Sequence, residues 1–340
     1  MKNLSISIII PTFNSARTIE ACLKSIVKQN YPKTKIEIII VDGGSKDSTK
    51  NIVKKYPVKW IEVDPRIQNV ELNKSIGIQK SKNDLVFLID HDNVLIDKNL
   101  INEMVRPFIE NADVIGAETL RYYYDARRSI LDRYIALFAV TDPFAFYLGK
   151  ADRLSYIYSK PDRKYNAKDC GGYYLINFNS NNLSTIGANG FMIRRDLLTK
   201  YAKSDPSHFY HTDVNLDLIK KGYKTYAFTK NSIAHFGGRG SIYSYLMRRM
   251  LFMRQYYLGQ DKLLKTKRRY SLYTKKDFWK LIYIIIISLT FIKPTIDSLR
   301  GYLKIHDSAW FINPVLCFGF VVVYGYVVIE HKFKSIFDMS

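Results

Sequence analysis

The sequence predicts an α/β protein with a mostly parallel sheet, followed by hydrophobic C-terminal helices. Three observations lead there. Short β-branched runs alternate with amphipathic stretches through residues 5–120. The apolar runs end in polar clusters, "PTFN", "VDGGSKDS" and "DHDN". Two long apolar runs close the chain.

The first strand is "SISIII" (5–10), stopped by Pro11. Residues 15–28 place Ile19, Cys22, Leu23, Ile26 and Val27 on one helical face, with Ser15 as a cap. "KIEIIIVD" (35–42) is a second strand, and 47–56 a helix capped by Asp47 or Ser48. "VKWIEV" (58–63) is a third strand, 69–81 a helix, and "DLVFLID" (84–90) a fourth strand. Strand and helix alternating with short links imply parallel strands and right-handed crossovers. Such sheets collect ligands beyond the carboxyl ends of their strands. Residues 98–120 add a helix and the strand "ADVIGAETL". Residues 121–186 are less regular and hold one long amphipathic stretch, 126–149, expected as an acceptor-side or membrane-facing element. Order returns over 187–236, with the Gly-rich "GANGFMI", helix starts at Arg195 and Asp213, and strands near "YKTYAF" and "SIAHF".

Lys and Arg number 52 against 31 Asp and Glu, a net charge of +21. That excess suits nucleic acid, an anionic membrane or phosphorylated ligands, unless it reflects a generally Lys-rich composition. No aromatic-basic RNA motif or helix-turn-helix pattern is visible, so nucleic acid is not expected as a partner. Cys22, Cys170 and Cys317 form no disulfide or zinc pattern and fit a reducing, cytosol-facing catalytic part. The N-terminal apolar run lacks a signal peptide's longer core. Residues 247–280 carry eleven Lys or Arg and only Asp261 and Asp277 as acids. "LIYIIIISLTFI" (281–292) is short for a bilayer span, whereas "AWFINPVLCFGFVVVYGYVVI" (309–329) has the length and lacks charge. The basic run before them suits an anionic cytoplasmic leaflet. The alternative is a pair of buried core helices.

The stretch "FLIDHDNVL" ends a buried strand in two carboxylates one residue apart, Asp90 and Asp92. Such close like charges repel and are costly to desolvate. Paired oxygen ligands at a strand's end suit Mg²⁺ or Mn²⁺ held together with substrate phosphates.

Taken in order, "IIIPTFNSARTIEACLKSI", "EIIIVDGGSKDST", "LNKSIG" and "LVFLIDHDN" (residues 8–93) resemble the family 2 glycosyltransferases of the GT-A fold. The likeness is close over this half and looser to about residue 240. It implies a GT-A catalytic domain over 1–240, a basic amphipathic juxtamembrane segment over 241–280 and membrane-associated helices over 281–340. It also implies roles. Pro11, Thr12 and Asn14 shape the loop where base and ribose lie, and Asp42 sits where the family's acid meets the base. Gly43 stands where the family more often has a second acid, which leaves the base open. Asn73 and Lys74 match the segment below the diphosphate, and Asn189 and Gly190 of the Gly-rich turn join the nucleotide-sugar set. Asp90 would touch the ribose or a metal-bound water, Asp92 would hold the metal, and His91 fills a spacer position. His235 in "AHFGG" completes the metal shell in some relatives; otherwise it is a core histidine. The family's base lies near a helix start, but its usual Glu-Asp pair is missing here. Asp213 is the first choice, unless it is a plain helix cap, and His211 the second. Arg239, Arg248, Arg249 and Arg254 could close over the diphosphate or meet lipid phosphate, but for most of them solvated or leaflet-facing charge is the expected part.

The expected activity is inverting transfer from a UDP- or GDP-sugar to a lipid-linked or glycan acceptor, by a membrane-bound protein whose catalytic domain is cytoplasmic. The leaving nucleotide gains negative charge, which a divalent ion stabilises. A phosphate acceptor, as in a polyprenyl-phosphate sugar synthase, would need no base. The other alternative is a non-catalytic nucleotide-sugar-binding subunit.

Overall fold

A computed structural model describes residues 4–161, 166–202, 209–237, 240–254, 258 and 275–337. Along the chain the strands are β1 Ile6–Thr12, β2 Ile36–Asp42, β3 Lys59–Glu62, β4 Leu85–Leu88 and β5 Asn93–Val94. They continue with β6 Val114–Tyr122, β7 Lys168–Asp169, β8 Tyr173–Asn177, β9 Phe191–Arg194 and β10 Thr225–His235. The helices are α1 Ile19–Val27, α2 Thr49–Val53, α3 Val70–Lys80, α4 Leu100–Glu110, α5 Ile130–Phe138 and α6 Pro143–Tyr147. They continue with α7 Arg195–Tyr201, α8 His211–Lys220, α9 Ile242–Phe252, α10 Phe278–Thr290, α11 Ile292–Tyr302 and α12 Ile312–Phe337.

The chain forms two compact units, residues 1–123 with 160–236, and residues 124–159 with 237–340. The first holds the sheet, in the order β3-β2-β1-β4-β9-β6-β10-β8-β7, with β5 paired to β10. β1, β2, β3 and β4 run parallel, as the alternating pattern predicts, while β9 is antiparallel between β4 and β6. Every residue of β1 and of β4 is buried. Helices cover both faces of such a sheet, so its strands read as unbroken apolar runs. Register sets Thr12 directly beside Asp42 and Ile9 beside Leu88, which brings the carboxyl ends of β1, β2 and β4 to one edge.

In the second unit the amphipathic stretch 126–149 forms α5 and α6, the first ending at Ala139, whose φ is 59°. Its apolar face packs into the C-terminal helices: Tyr134 and Phe138 meet at 5.1 Å, Phe138 and Trp310 at 4.9 Å, and Phe144 and Phe320 at 6.2 Å between ring centroids. Trp310 is fully buried. The run 281–292 forms most of α10, which ends at Thr290; Phe291 takes a left-handed conformation, and the chain bends there by 77° into α11. Ser308–Phe333 is one helical stretch long and apolar enough to cross a membrane, with half of it buried inside the protein.

Candidate functional site

β4 delivers Asp90 and Asp92 to the carboxyl edge, and Asn93 fixes the turn that follows. The Asp90 amide donates to Asn93 Oδ1 at 2.7 Å, and Asn93 Nδ2 donates to the Ala234 carbonyl at 3.1 Å. Pairing of β5 with β10 sets Asn93 opposite His235, and the Phe236 amide donates to the Asp92 carbonyl at 3.1 Å. A chain separation of 141 residues is closed by this clamp. As a result His235 Nε2 lies 3.5 Å from Asp92 Oδ1. One ligand atom each from Asp90, Asp92 and His235 falls within 4.8 Å of the others. Asp92 Oδ1 and His235 Nδ1 are buried without hydrogen-bond partners, and the buried Asp90 Oδ1 faces the Lys74 ammonium at 3.2 Å. Buried polar atoms rarely stay so. Two carboxylates and an imidazole with such atoms among them suit a divalent cation.

Lys74 is the group that sequence reasoning undervalued. On α3 it is 4% exposed. Its Nζ lies 3.2 Å from Asp90 Oδ1 and donates to the Ala188 carbonyl at 2.5 Å. Burial alone would raise the Asp90 pKa, but Lys74, then His235 and His91, hold the carboxyl below the usual range. Asp90 is therefore ionised at neutral pH. Asn73, beside Lys74, is 1% exposed and its Oδ1 lacks a partner. His91 is not a bare spacer: its Nδ1 pairs with Thr18 Oγ1 at 2.8 Å and ties the turn to the start of α1. Cys22 is fully buried beneath the turn, and burial followed by the charges of Asp92 and Asp90 pushes its thiol pKa well up, so it is inert.

Asp42 differs from its expected part. It is fully buried, and it accepts four hydrogen bonds. Thr12 Oγ1 and Ser45 Oγ donate to Oδ1 at 2.9 and 2.6 Å, and the amides of Gly44 and Ser45 donate to Oδ2 at 2.9 and 2.7 Å. A carboxylate offers about four such positions, so its capacity is taken up by the loop. Asn14, with φ 48°, braces the same loop through Ser45 Oγ and the Lys46 amide. Pro11 is buried at the end of β1. Beside this loop, the side chain of Gln68 fills the space over Gly43: a Cβ there would stand 2.5 Å from Gln68 Oε1. Gln68 is half-buried. Nothing in the sequence marks it, because its position depends on how the link from β3 to α3 folds back.

The Gly-rich turn joins these parts. Ala188 reaches Lys74, as above, and the Gly187 amide donates to Glu118 Oε1 at 2.9 Å. Gly187 has φ +101°, and a Cβ there would meet Asn215 Nδ2 at 2.9 Å and His211 Cβ at 3.0 Å. The start of α8 is thus seated on the turn, and the Phe209 amide donates to the Glu71 carbonyl of α3 at 3.0 Å. Asn189 is buried beside Gly190, whose φ is 61°. His211 is half-buried, whereas Asp213 is 2% exposed. Arg239 lies outside the described residues, as does most of the basic run. In the second unit Arg254 is engaged by Glu330 at 2.7 Å.

The profile of Glycosyl transferase family 2 matches residues 7–201. Glycosyltransferase AglE of Haloferax volcanii is 32% identical over 91 residues, which are 26% of this chain and 30% of that protein. The poly(ribitol-phosphate) beta-N-acetylglucosaminyltransferase TarS of Staphylococcus aureus is 30% identical over 104 residues, 28% of this chain and 18% of that one. The chain thus spans less than a third of either relative. Among solved structures, the mannosyltransferase PcManGT of Pyrobaculum calidifontis, in complex with GDP-Man and Mn²⁺, overlays with a TM-score of 0.51 at 13% identity, covering 95% of this chain and 88% of that one. That overlay concerns the fold, which is GT-A. With the profile covering more than half of its length, the chain belongs to glycosyl transferase family 2.

Proposed function

We propose that the protein transfers a sugar, with inversion, from a UDP- or GDP-sugar to a lipid-linked or glycan acceptor at the cytoplasmic face of a membrane. The observation that carries this reading is the part-buried Asp90–Asp92–His235 cluster with Lys74 beside it. Asp92, Asp90 and His235 would hold Mg²⁺ or Mn²⁺, which when bound neutralises the departing diphosphate. Lys74 adds a second positive charge at the same place and keeps Asp90 ionised. The Asp42 loop, with Pro11, Thr12 and Asn14, shapes the base pocket, and the Gln68 carboxamide reads the base in the space that Gly43 leaves. Asn73, Asn189 and Gly190 line the sugar-phosphate side. TarS, by its name, acts on a phosphate-bearing polymer, which agrees with an acceptor of that kind.

Burial reverses the expected order of the two base candidates. A base must reach the acceptor's proton, and His211 is the more accessible of the pair. We assign His211 as base and Asp213 as a group that positions α8. A second reading, transfer to a phosphate acceptor such as polyprenyl phosphate, is favoured by the same burial of Asp213, since that chemistry needs no base. The deciding experiment is nucleotide release from a panel of UDP- and GDP-sugars with Mn²⁺ or Mg²⁺, with and without native lipids. Release that depends on metal and lipid supports transfer. Binding of nucleotide without any release, with every lipid tried, would leave the non-catalytic binding subunit. Under hydroxyl transfer His211→Gln lowers turnover about 10²-fold or more; near-normal turnover selects the phosphate acceptor.

A further inference from the structure

Between Lys276 and Phe333 the charges are sorted by direction. The acids point inward: Asp277, Asp297 and Asp307 are 5%, 3% and 4% exposed. Lys150 meets Asp277 at 2.6 Å, Lys293 meets Asp297 at 2.5 Å and Arg133 meets Asp307 at 2.8 Å. Glu330 is half-buried against Arg254. The exposed Lys, Arg, Asp and Glu residues of this stretch are all bases: Lys276, Lys280, Arg300, Lys304 and Lys332.

Between these bases lies an uncovered apolar face. On α12, Val315, Phe318, Val322, Tyr326 and Ile329 recur every three or four residues and are 40% to 55% exposed, so they form one stripe. Trp279, Tyr283, Ile286 and Leu289 do the same on α10, and Ile292, Ile296 and Leu299 on α11 with Leu303 at its C-cap, with exposures from 40% to 76%. Apolar surface of this extent marks an interaction face, and tryptophan, tyrosine and lysine beside it suit a membrane interface.

The inner side of α12 is of another kind. Asn313 is fully buried, accepts from the Tyr134 hydroxyl at 3.2 Å and donates to the Tyr147 hydroxyl at 2.9 Å. Halfway along, the Tyr324 hydroxyl donates to Asp142 Oδ2 at 2.8 Å, and further on Glu330 meets Arg254. A helix crossing a bilayer would carry the Asp142 carboxylate, bonded to Tyr324 halfway along α12, near the centre of the hydrocarbon, at considerable cost. α10 and α11, with 13 and 11 residues and a 77° bend, are each too short to span.

We infer that α10, α11 and α12 lie within one leaflet of an anionic bilayer, apolar stripes in the acyl region and exposed bases at the lipid phosphates, without crossing it. This is independent of the glycosyl-transfer reading, and its test uses no activity. The purified full chain is diluted from detergent onto preformed vesicles of phosphatidylcholine with or without 30% phosphatidylglycerol, and flotation is measured. We expect flotation with the anionic vesicles, falling about tenfold in the Lys280→Glu/Arg300→Glu variant. Ser308→Cys and Lys332→Cys, each in a Cys170→Ser background, are then treated with a membrane-impermeant maleimide. A single-leaflet helix leaves both ends reactive from outside, within about twofold of each other. If either thiol is protected until detergent is added, the helix crosses the bilayer and the inference fails. It fails equally if the chain does not float, or if light scattering shows the face covered by a second copy.

Discussion

The two units handle apolar residues in opposite ways. In the first, β1 and β4 at the centre of the sheet are buried throughout, and the large exposed apolar side chains are scattered at Phe13, Ile67, Val70, Ile96 and Ile109. In the second, three successive helices carry apolar stripes outward while acids and their cations lie inside. Buried charge also differs in purpose. Lys74 is buried against the part-buried Asp90 in the cluster proposed to hold a cation, whereas Asp307 is buried against Arg133, Tyr124 and the Ala309 amide, which fastens helices. Under the two proposals, one unit is organised around a charged ligand in water and the other around a boundary between media.

This contrast can be broken unit by unit. The largest effect is expected at Trp310. Trp310→Ala removes the fully buried centre of the second unit and should cost about 3–5 kcal/mol. Hydrogen exchange should then lose protection over 124–159 and 278–337 while residues 5–123 keep theirs; loss across both would show that they unfold together. Asp307→Asn should cost about 3 kcal/mol by leaving Arg133 buried and uncompensated. Burial alone would raise Asp307, but the Tyr124 hydroxyl, the Ala309 amide and the Arg133 guanidinium hold its carboxyl below the usual value. A lowered pKa in the folded state means that this stabilisation is complete above about pH 4, the ordinary carboxylate value, and disappears as pH falls through the folded one. Stability of the second unit, followed by the same exchange pattern, should therefore drop below about pH 4 in the parent and show a smaller drop in Asp307→Asn.

Sequence pattern reveals part of this contrast and hides part. β1, β2 and β4 and the polar strand ends are legible because unbroken apolar runs report strands buried on both faces. Asp90 and Asp92 are legible because two carboxylates there need a counter-charge. Lys74 is not, since a helical lysine reads as solvated until α3 is packed beneath the Gly-rich turn. Asn93 resembles any loop residue until β5 pairs with β10. The left-handed turn at Ala139 has no glycine to announce it, although Asp142 and Pro143 mark the start of α6, and the residue that turns the chain at the α10–α11 bend, Phe291, is unmarked.

Two smaller effects sharpen the site. Asn93→Ala unfastens the turn that brings Asp92 to His235, and should weaken Mn²⁺ binding about 10- to 100-fold by calorimetry. Gln68→Ala should raise the nucleotide-sugar KM about tenfold with kcat nearly unchanged, as expected for lost ground-state contact; an unchanged KM would remove Gln68 from base reading.

The most direct test is Mn²⁺ binding, followed by paramagnetic resonance in the presence of UDP or GDP, for the parent and for Asp92→Asn. The account predicts one tight ion in the parent and at least 10²-fold weaker binding in the variant, with the fold intact by circular dichroism. Equal binding by both proteins would contradict it.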